Sequence, residues 1–278
     1  MSLLTRKQRK NIPIYLALII IVIFIDFPFF QMFSMSFKSK MEIYESLDLL
    51  PRKISFENIS YIWNKTGFAL SVYNSAVVSL TSMFCCIIVA VIAGYALSRF
   101  RGKTFSVFSV FLLMLQMFPL ILLLIPMFII FSRLRLVDTL FSVVVAYTTR
   151  NLAFSIWMIK GFMDSIPFDL EEAAMIDGCN QFQALLRIII PISMPGISTV
   201  GIFAFINSWG EFMLASILVR SESNNTISLG LRKFMLEFSV DWPLLMTAST
   251  MATIPTLFFL VFAQKYLIRG MAAGAVKG

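Results

Sequence analysis

Residues Asp164 to Pro191 read DSIPFDLEEAAMIDGCNQFQALLRIIIP, a polar, capped segment set between two long apolar runs. Ser165 is a candidate N-cap and Pro167 suits a first helical turn. Asp169, Glu171 and Glu172 place negative charge at the positive end of the helix dipole. Gly178 stands where a C-terminal cap belongs. Asn180 can cap a second helix, with Gln183 as its capping-box partner three residues on, and Pro191 is expected to end that helix. The spacing therefore predicts a helix–turn–helix outside the lipid. Its apolar residues Ala173, Ala174, Ile176, Phe182, Leu185 and Leu186 offer more than one face, one to rest on the rest of the chain and one for a partner.

Working outward, the surroundings are those of a membrane protein. Of 278 residues 59% are hydrophobic and only 14% charged, against about 45–50% and 25% in soluble domains. That excludes a disordered chain, a disulfide-stapled module and an ordinary soluble enzyme. Six apolar stretches are long enough to span: Ile12 to Phe33, about Leu70 to Leu97, Ser106 to Phe131, Leu140 to Gly161, about Ile192 to Val219, and Pro243 to about Tyr266. The expected fold class is all-α integral membrane, with six transmembrane helices. The first run follows Arg6, Lys7, Arg9 and Lys10, as in a signal peptide. At about 22 residues, with no small-residue cleavage site after it, it reads as an uncleaved helix.

Those four basic residues place the N-terminus inside, because the loop that follows mixes Lys with Glu42, Glu45 and Asp48. With six spans both termini are then cytoplasmic, and so is the 162–191 segment. The net charge of +8 reads as topology, and no basic stripe points to nucleic acid. The chain has no histidine, which removes His-based catalysis and His-ligated metals. Cys85, Cys86 and Cys179 form no metal set, and the adjacent Cys85 and Cys86 read as small core residues.

The residues alone leave the hairpin open to two readings, an interfacial element that tidies a loop or a docking element. The spacing Glu172-Ala173-Ala174, three residues, Gly178, nine residues, Ile188-x-Ile190-Pro191 resembles the EAA loop of ABC importer membrane subunits, with Ile190 where Leu is usual. The ending Arg269 to Gly278, the Phe27-Pro28-Phe29 entry with Ser34 to Lys38, and Asn207-Ser208-Trp209-Gly210-Glu211-Phe212 resemble the second permease subunit of maltose-type carbohydrate importers. Gly210 replaces a common Asn.

The resemblance implies a type I ABC importer permease in the bacterial plasma membrane. It implies a cytoplasmic segment 1–11, a six-span domain 12–268 with its coupling loop at about 162–191, and a cytoplasmic tail 269–278. Implied partners are a second, different permease, a dimer of cytoplasmic P-loop ATPases and an extracytoplasmic sugar-binding protein. The coupling residues would be Glu171, Glu172, Ala173, Ala174, Ile176, Asp177, Gly178 and Pro191. The tail would reach the ATPases, and the outer loop after span five would contact the binding protein. The chain contains no GxxxxGK[ST], so it has no P-loop of its own. It is expected to bind no cofactor, with ATP and Mg on the partner ATPases and no catalysis by this chain.

Ionisable and amide residues inside spans are candidates for the translocation path: Gln116, Arg150, Asn151, Asn207 and Glu211, with Trp209 adding an aromatic face. The alternative for each is an interhelical hydrogen bond. Asp26 reads as near the outer interface, and the 29 Phe and 17 Met as packing or lipid-facing residues. Ile227, Leu231, Phe234 and Phe238 fall at helical spacing within the outer segment Thr226 to Phe238. Importers of glycerol-phosphate-type solutes, ATP-independent secondary transporters and membrane scaffolds are the competing classes. A phosphate site would want clustered Arg, whereas Arg150 stands alone. A secondary transporter would want paired broken helices or acidic residues in corresponding spans.

Overall fold

The computed structural model describes residues 6–100, 102–235 and 240–275, with side chains between 13 and 261. The described residues are almost wholly helical, and they fall into two units, 1–66 with 233–252, and 67–232 with 253–278.

In the first unit, α1 (Arg6–Ser36) shows apolar side chains on every side from Ile14 to Phe33. A helix apolar all round suits lipid. After it come α2 (Lys40–Glu45), capped by the Ser39 hydroxyl, and α3 (Glu57–Lys65). The short segment after α1 is ordered by Lys38. Its buried ammonium donates to the Asp48 carbonyl, and its own carbonyl accepts from Asn58 Nδ2 at 2.9 Å. α13 (Trp242–Ala275) begins here, where the Thr250 hydroxyl donates to the Met32 carbonyl at 3.2 Å.

The second unit is built on α4 (Phe68–Arg99), α7 (Leu140–Asp164) and α10 (Ile190–Trp209). Between α4 and α7 lie α5 (Lys103–Met117) and α6 (Leu120–Arg133). α7 and α10 flank α8 (Asp169–Ile176), α9 (Gln181–Ala184) and a π-turn, Leu185–Ile189. α11 (Met213–Leu218) and α12 (Ile227–Arg232) follow α10. The buried face of α4 is rich in small side chains, Ser71, Ser75, Ser79, Ser82, Cys86, Ala90 and Gly94 among them. In lipid, helices gain nothing by hiding Leu from water, so close backbone approach and interhelical hydrogen bonds hold them together. Thr148 donates to Ser82 and Cys86 to Ser155, both at 3.1 Å. Cys85, by contrast, is exposed rather than in the core.

Among the described residues, four helices are long and apolar enough to cross a membrane on their own: 13–36, 68–99, 181–209 and 242–261. The third expected span is not straight. α5 and α6 meet at 99° across Phe118-Pro119, because Pro119 supplies no N–H to carry the helix on. α7 is of spanning length, at 25 residues, but Arg150, Asn151 and Lys160 lower its hydropathy. The fifth run ends at Trp209, since the chain breaks at Gly210 and restarts as α11. The outer helix expected from Thr226 to Phe238 is only α12, followed by a Met235–Val240 bridge; Phe238 lies outside the described residues.

Candidate functional site

The hairpin forms as a helix–turn–helix, with two differences at its ends. Ser165 does not cap α8; its hydroxyl donates to the Phe162 carbonyl at 2.6 Å and closes α7 instead. Pro191 does not end the second helix. The Ile190 amide reaches back five residues to the Leu185 carbonyl, and this π-turn absorbs the bond and the space that proline denies, so the hairpin runs directly into α10. The turn itself is as expected. Gly178 takes φ +90°, Cys179 N donates to Ala174 O at 3.0 Å and Gly178 N to Met175 O at 3.1 Å, a Schellman closure. Asn180 and Gln183 exchange both bonds of a capping box, at 2.8 and 2.9 Å.

The two acidic residues part company. Glu172, Ala173, Asp177 and Gly178 are exposed, and so are the large apolar side chains of Met175, Ile176, Phe182 and Leu186, Ile176 at 86%. Glu171 and Ala174 turn inward. The Glu171 carboxylate is ion-paired with Arg99 and accepts from Tyr95 Oη at 2.9 Å. Glu171 is therefore not part of the exposed acidic rim. Nothing in the sequence singles out Arg99 and Tyr95, which lie 72 and 76 residues before Glu171.

A second site lies in the helical body. A cavity of about 640 Å³ is lined by four of the expected path residues, Gln116, Arg150, Asn151 and Asn207. Arg150 Nη1 lies 3.5 Å from Glu211 Oε1. Glu211 is buried; its other carboxylate oxygen accepts from Leu214 N at 2.9 Å and Ala215 N at 3.3 Å, and Tyr147 Oη donates to its carbonyl at 3.0 Å. Asn151 Nδ2 donates to Ser208 Oγ at 3.1 Å, joining α7 to α10. Trp209 is buried and stacks on Phe205, with ring centroids 5.6 Å apart. The aromatic faces of the cavity come from Phe118, Phe154 and Phe203, the last two 4.1 Å apart. With 29 phenylalanines in the chain, nothing in the sequence marked these three.

Outside the spans, Asp138 ties two loops together. Its carboxylate accepts from the Ser221 hydroxyl, from Ser221 N at 2.8 Å and from Arg220 N at 3.0 Å. The Ser221 hydroxyl and these amides hold its pKa well below the usual carboxylate range.

A lipid-spanning helical body, a polar and aromatic cavity within it and a hairpin with an unpartnered apolar face define a membrane permease of type I ABC importer architecture. The chain belongs to the family of binding-protein-dependent transport system inner membrane components, whose model matches residues 86–273. It is 33% identical over 276 residues to the inner membrane ABC transporter permease protein YcjP of Escherichia coli, covering 98% of this chain and 99% of that one. It is 30% identical to the trehalose/maltose transport system permease protein MalG of Thermococcus litoralis, covering 97% of this chain and 98% of that one. Among solved structures it superposes at TM-score 0.84 on a bacterial ABC transporter involved in the import of the acidic polysaccharide alginate, at 24% identity, over 96% of this chain and 99% of that chain.

Proposed function

We propose that this permease forms half of the translocation path of an ATP-driven, binding-protein-dependent importer of sugars, most simply oligosaccharides. In this reading a second, different permease supplies the other half. A dimer of P-loop ATPases binds ATP and Mg, and an extracytoplasmic sugar-binding protein delivers the solute. The chain itself transports without catalysing. It spans the bacterial plasma membrane six times, with α7 as the fourth span, both termini in the cytoplasm and 12–268 as the membrane domain. The tail 269–278 reaches the ATPases; residues 276–278 lie outside the described residues.

One observation carries the reading: the exposed hairpin face of Met175, Ile176, Phe182 and Leu186, rimmed by Glu172. Large apolar side chains beyond the membrane that stay about half or more exposed among the described residues suit a protein partner. With no P-loop here, that partner must bring the ATP. The sugar assignment is supported by the relatives' names and by the cavity, which sets amides beside phenyl faces. Gln116, Asn151, Asn207, Arg150 and Glu211 are the polar path residues of this reading, with Trp209 packed behind them. Glu211 offsets the charge of Arg150, which favours an uncharged, hydroxyl-rich solute over a glycerol-phosphate-type one.

The test is gentle detergent purification from the native host, with mass spectrometry of what accompanies the chain. A P-loop ATPase, a second permease and a solute-binding protein are expected. Glu172→Lys should leave the chain in the membrane and strip the ATPase from it. Unchanged association and uptake in that variant would overturn the docking role.

A further inference from the structure

We propose that Arg99, Tyr95 and Glu171 are positioning residues, forming a latch that makes the hairpin, α4 and α7 move as one body. The proposal rests on the coupling role given above to the hairpin's exposed face and names what lies behind that face.

α8 is held weakly by ordinary packing. Of its eight residues only Glu171 and Ala174 are buried. Beneath Leu170 lies a cavity of about 240 Å³, bounded by Phe162, Ile166, Ser193 and Pro195, where apolar contact would otherwise fix the helix. Attachment therefore falls to the carboxylate. Both Glu171 oxygens are engaged, one by Arg99 Nε and one by Tyr95 Oη at 2.9 Å. Apart from one bond to Ser98 Oγ on its own helix, at 3.0 Å, the rest of the guanidinium reaches α7 and the turn after it. Nη1 donates to the Met163 carbonyl at 3.0 Å and Nη2 to the Ile166 carbonyl at 3.4 Å, and the guanidinium carbon lies 5.0 Å over the Phe168 ring. Arg99 and Glu171 are 7% and 3% exposed. A paired charge in so dry a place is stiff, because parting the partners strands each without water.

The geometry gives the latch somewhere to send motion. α7 carries the latch at Met163 and the cavity wall at Thr149 and Arg150. Those positions are 14 residues apart on one helix, about 21 Å at 1.5 Å per residue. A push on the exposed face thus reaches the cavity through a rod, whereas a hairpin hung on flexible contacts would absorb it.

The experiment uses the complete transporter in proteoliposomes, with Cys85, Cys86 and Cys179 replaced by Ala and Thr149→Cys as reporter. N-ethylmaleimide labelling of the reporter is followed with and without ATP, and phosphate release is measured in parallel. In the otherwise unaltered chain ATP should change the labelling rate. In Glu171→Gln and in Arg99→Met the ATPase should still co-purify and still hydrolyse ATP, while the ATP-dependent change in labelling shrinks on the order of tenfold, the size of a typical coupling between sites. The charge swap Arg99→Glu with Glu171→Arg should recover part of it. Tyr95→Phe, which strands no charge, should give an intermediate loss and covers the case in which the charge variants fail to assemble. Labelling that responds normally in Tyr95→Phe and in any assembled charge variant would overturn the latch. So would hydrolysis and labelling falling together, the mark of a merely structural role. Absence of any ATPase from the unaltered chain would instead overturn the coupling reading beneath it.

Discussion

Asp138 holds a left-handed backbone at φ 66° without being glycine, and its carboxylate gathers the amides of Arg220 and Ser221. Its folded pKa lies below the unfolded value of about 4. The stabilisation is therefore present above that pH and is lost as pH falls toward the folded value. Asp138→Asn should lower the hydrogen-exchange protection of the Ser221 amide at neutral pH by about two- to fivefold, the scale of an exposed charged contact. It should also remove the acid dependence seen with Asp; equal protection in the two proteins at pH 7 would refute this. The same scale shows where sequence reading stops. Glu171 and Glu172 are adjacent and chemically alike, yet one is buried against Arg99 and the other is exposed. A helix turns 100° per residue, so which carboxylate faces inward depends on where α8 lies, and that is set by the distant end of α4. Likewise Gln116, Arg150, Asn151 and Asn207 stood out as polar residues in apolar runs, whereas Phe118, Phe154 and Phe203 could not be told from the other phenylalanines.

Among the elements, α4 and α7 meet closely at Gly94. A Cβ there would sit 2.7 Å from Ile159 Cγ2 and 3.1 Å from the Lys160 backbone nitrogen. Gly94→Val should force the helices apart at a cost of about 1–3 kcal/mol, the usual range for overpacking. The midpoint of thermal unfolding in detergent should fall accordingly, with Ile159→Ala restoring part of the loss in the double variant. An unchanged midpoint would mean that the helices can part freely here. Local chemistry fixed the inner turn of the hairpin in advance, since Gly178, Asn180 and Gln183 act on neighbours two to five residues away. It misplaced the hairpin's ends because Ser165 and Pro191 each admit two outcomes, and packing chose. Proline denies one bond and one space, and a π-turn meets both demands as well as a helix end does.

For the whole molecule the open quantity is orientation. A topology reporter inserted after Cys179 should be cytoplasmic, and one inserted after Asn224 should lie on the far side. Finding both on one face would break the six-span reading at α10. The apolar runs were legible because lipid demands length and composition, both plain in sequence. The kink of the third run was not, because Phe118-Pro119 sits inside an unbroken apolar string and composition carries no angle.

That kink has an evolutionary consequence. Where α5 stops, the Leu115 carbonyl would meet position 119 in a continuing helix; with proline there it takes only the Phe118 amide, at 3.4 Å. Main-chain groups left short of partners at membrane depth are tolerated where they border a protein-lined or watered space, and both Leu115 and Phe118 border the cavity. Those groups belong to the peptide backbone, which drift cannot substitute away. Lineages can exchange the side chains around it while the polarity of this bend is inherited.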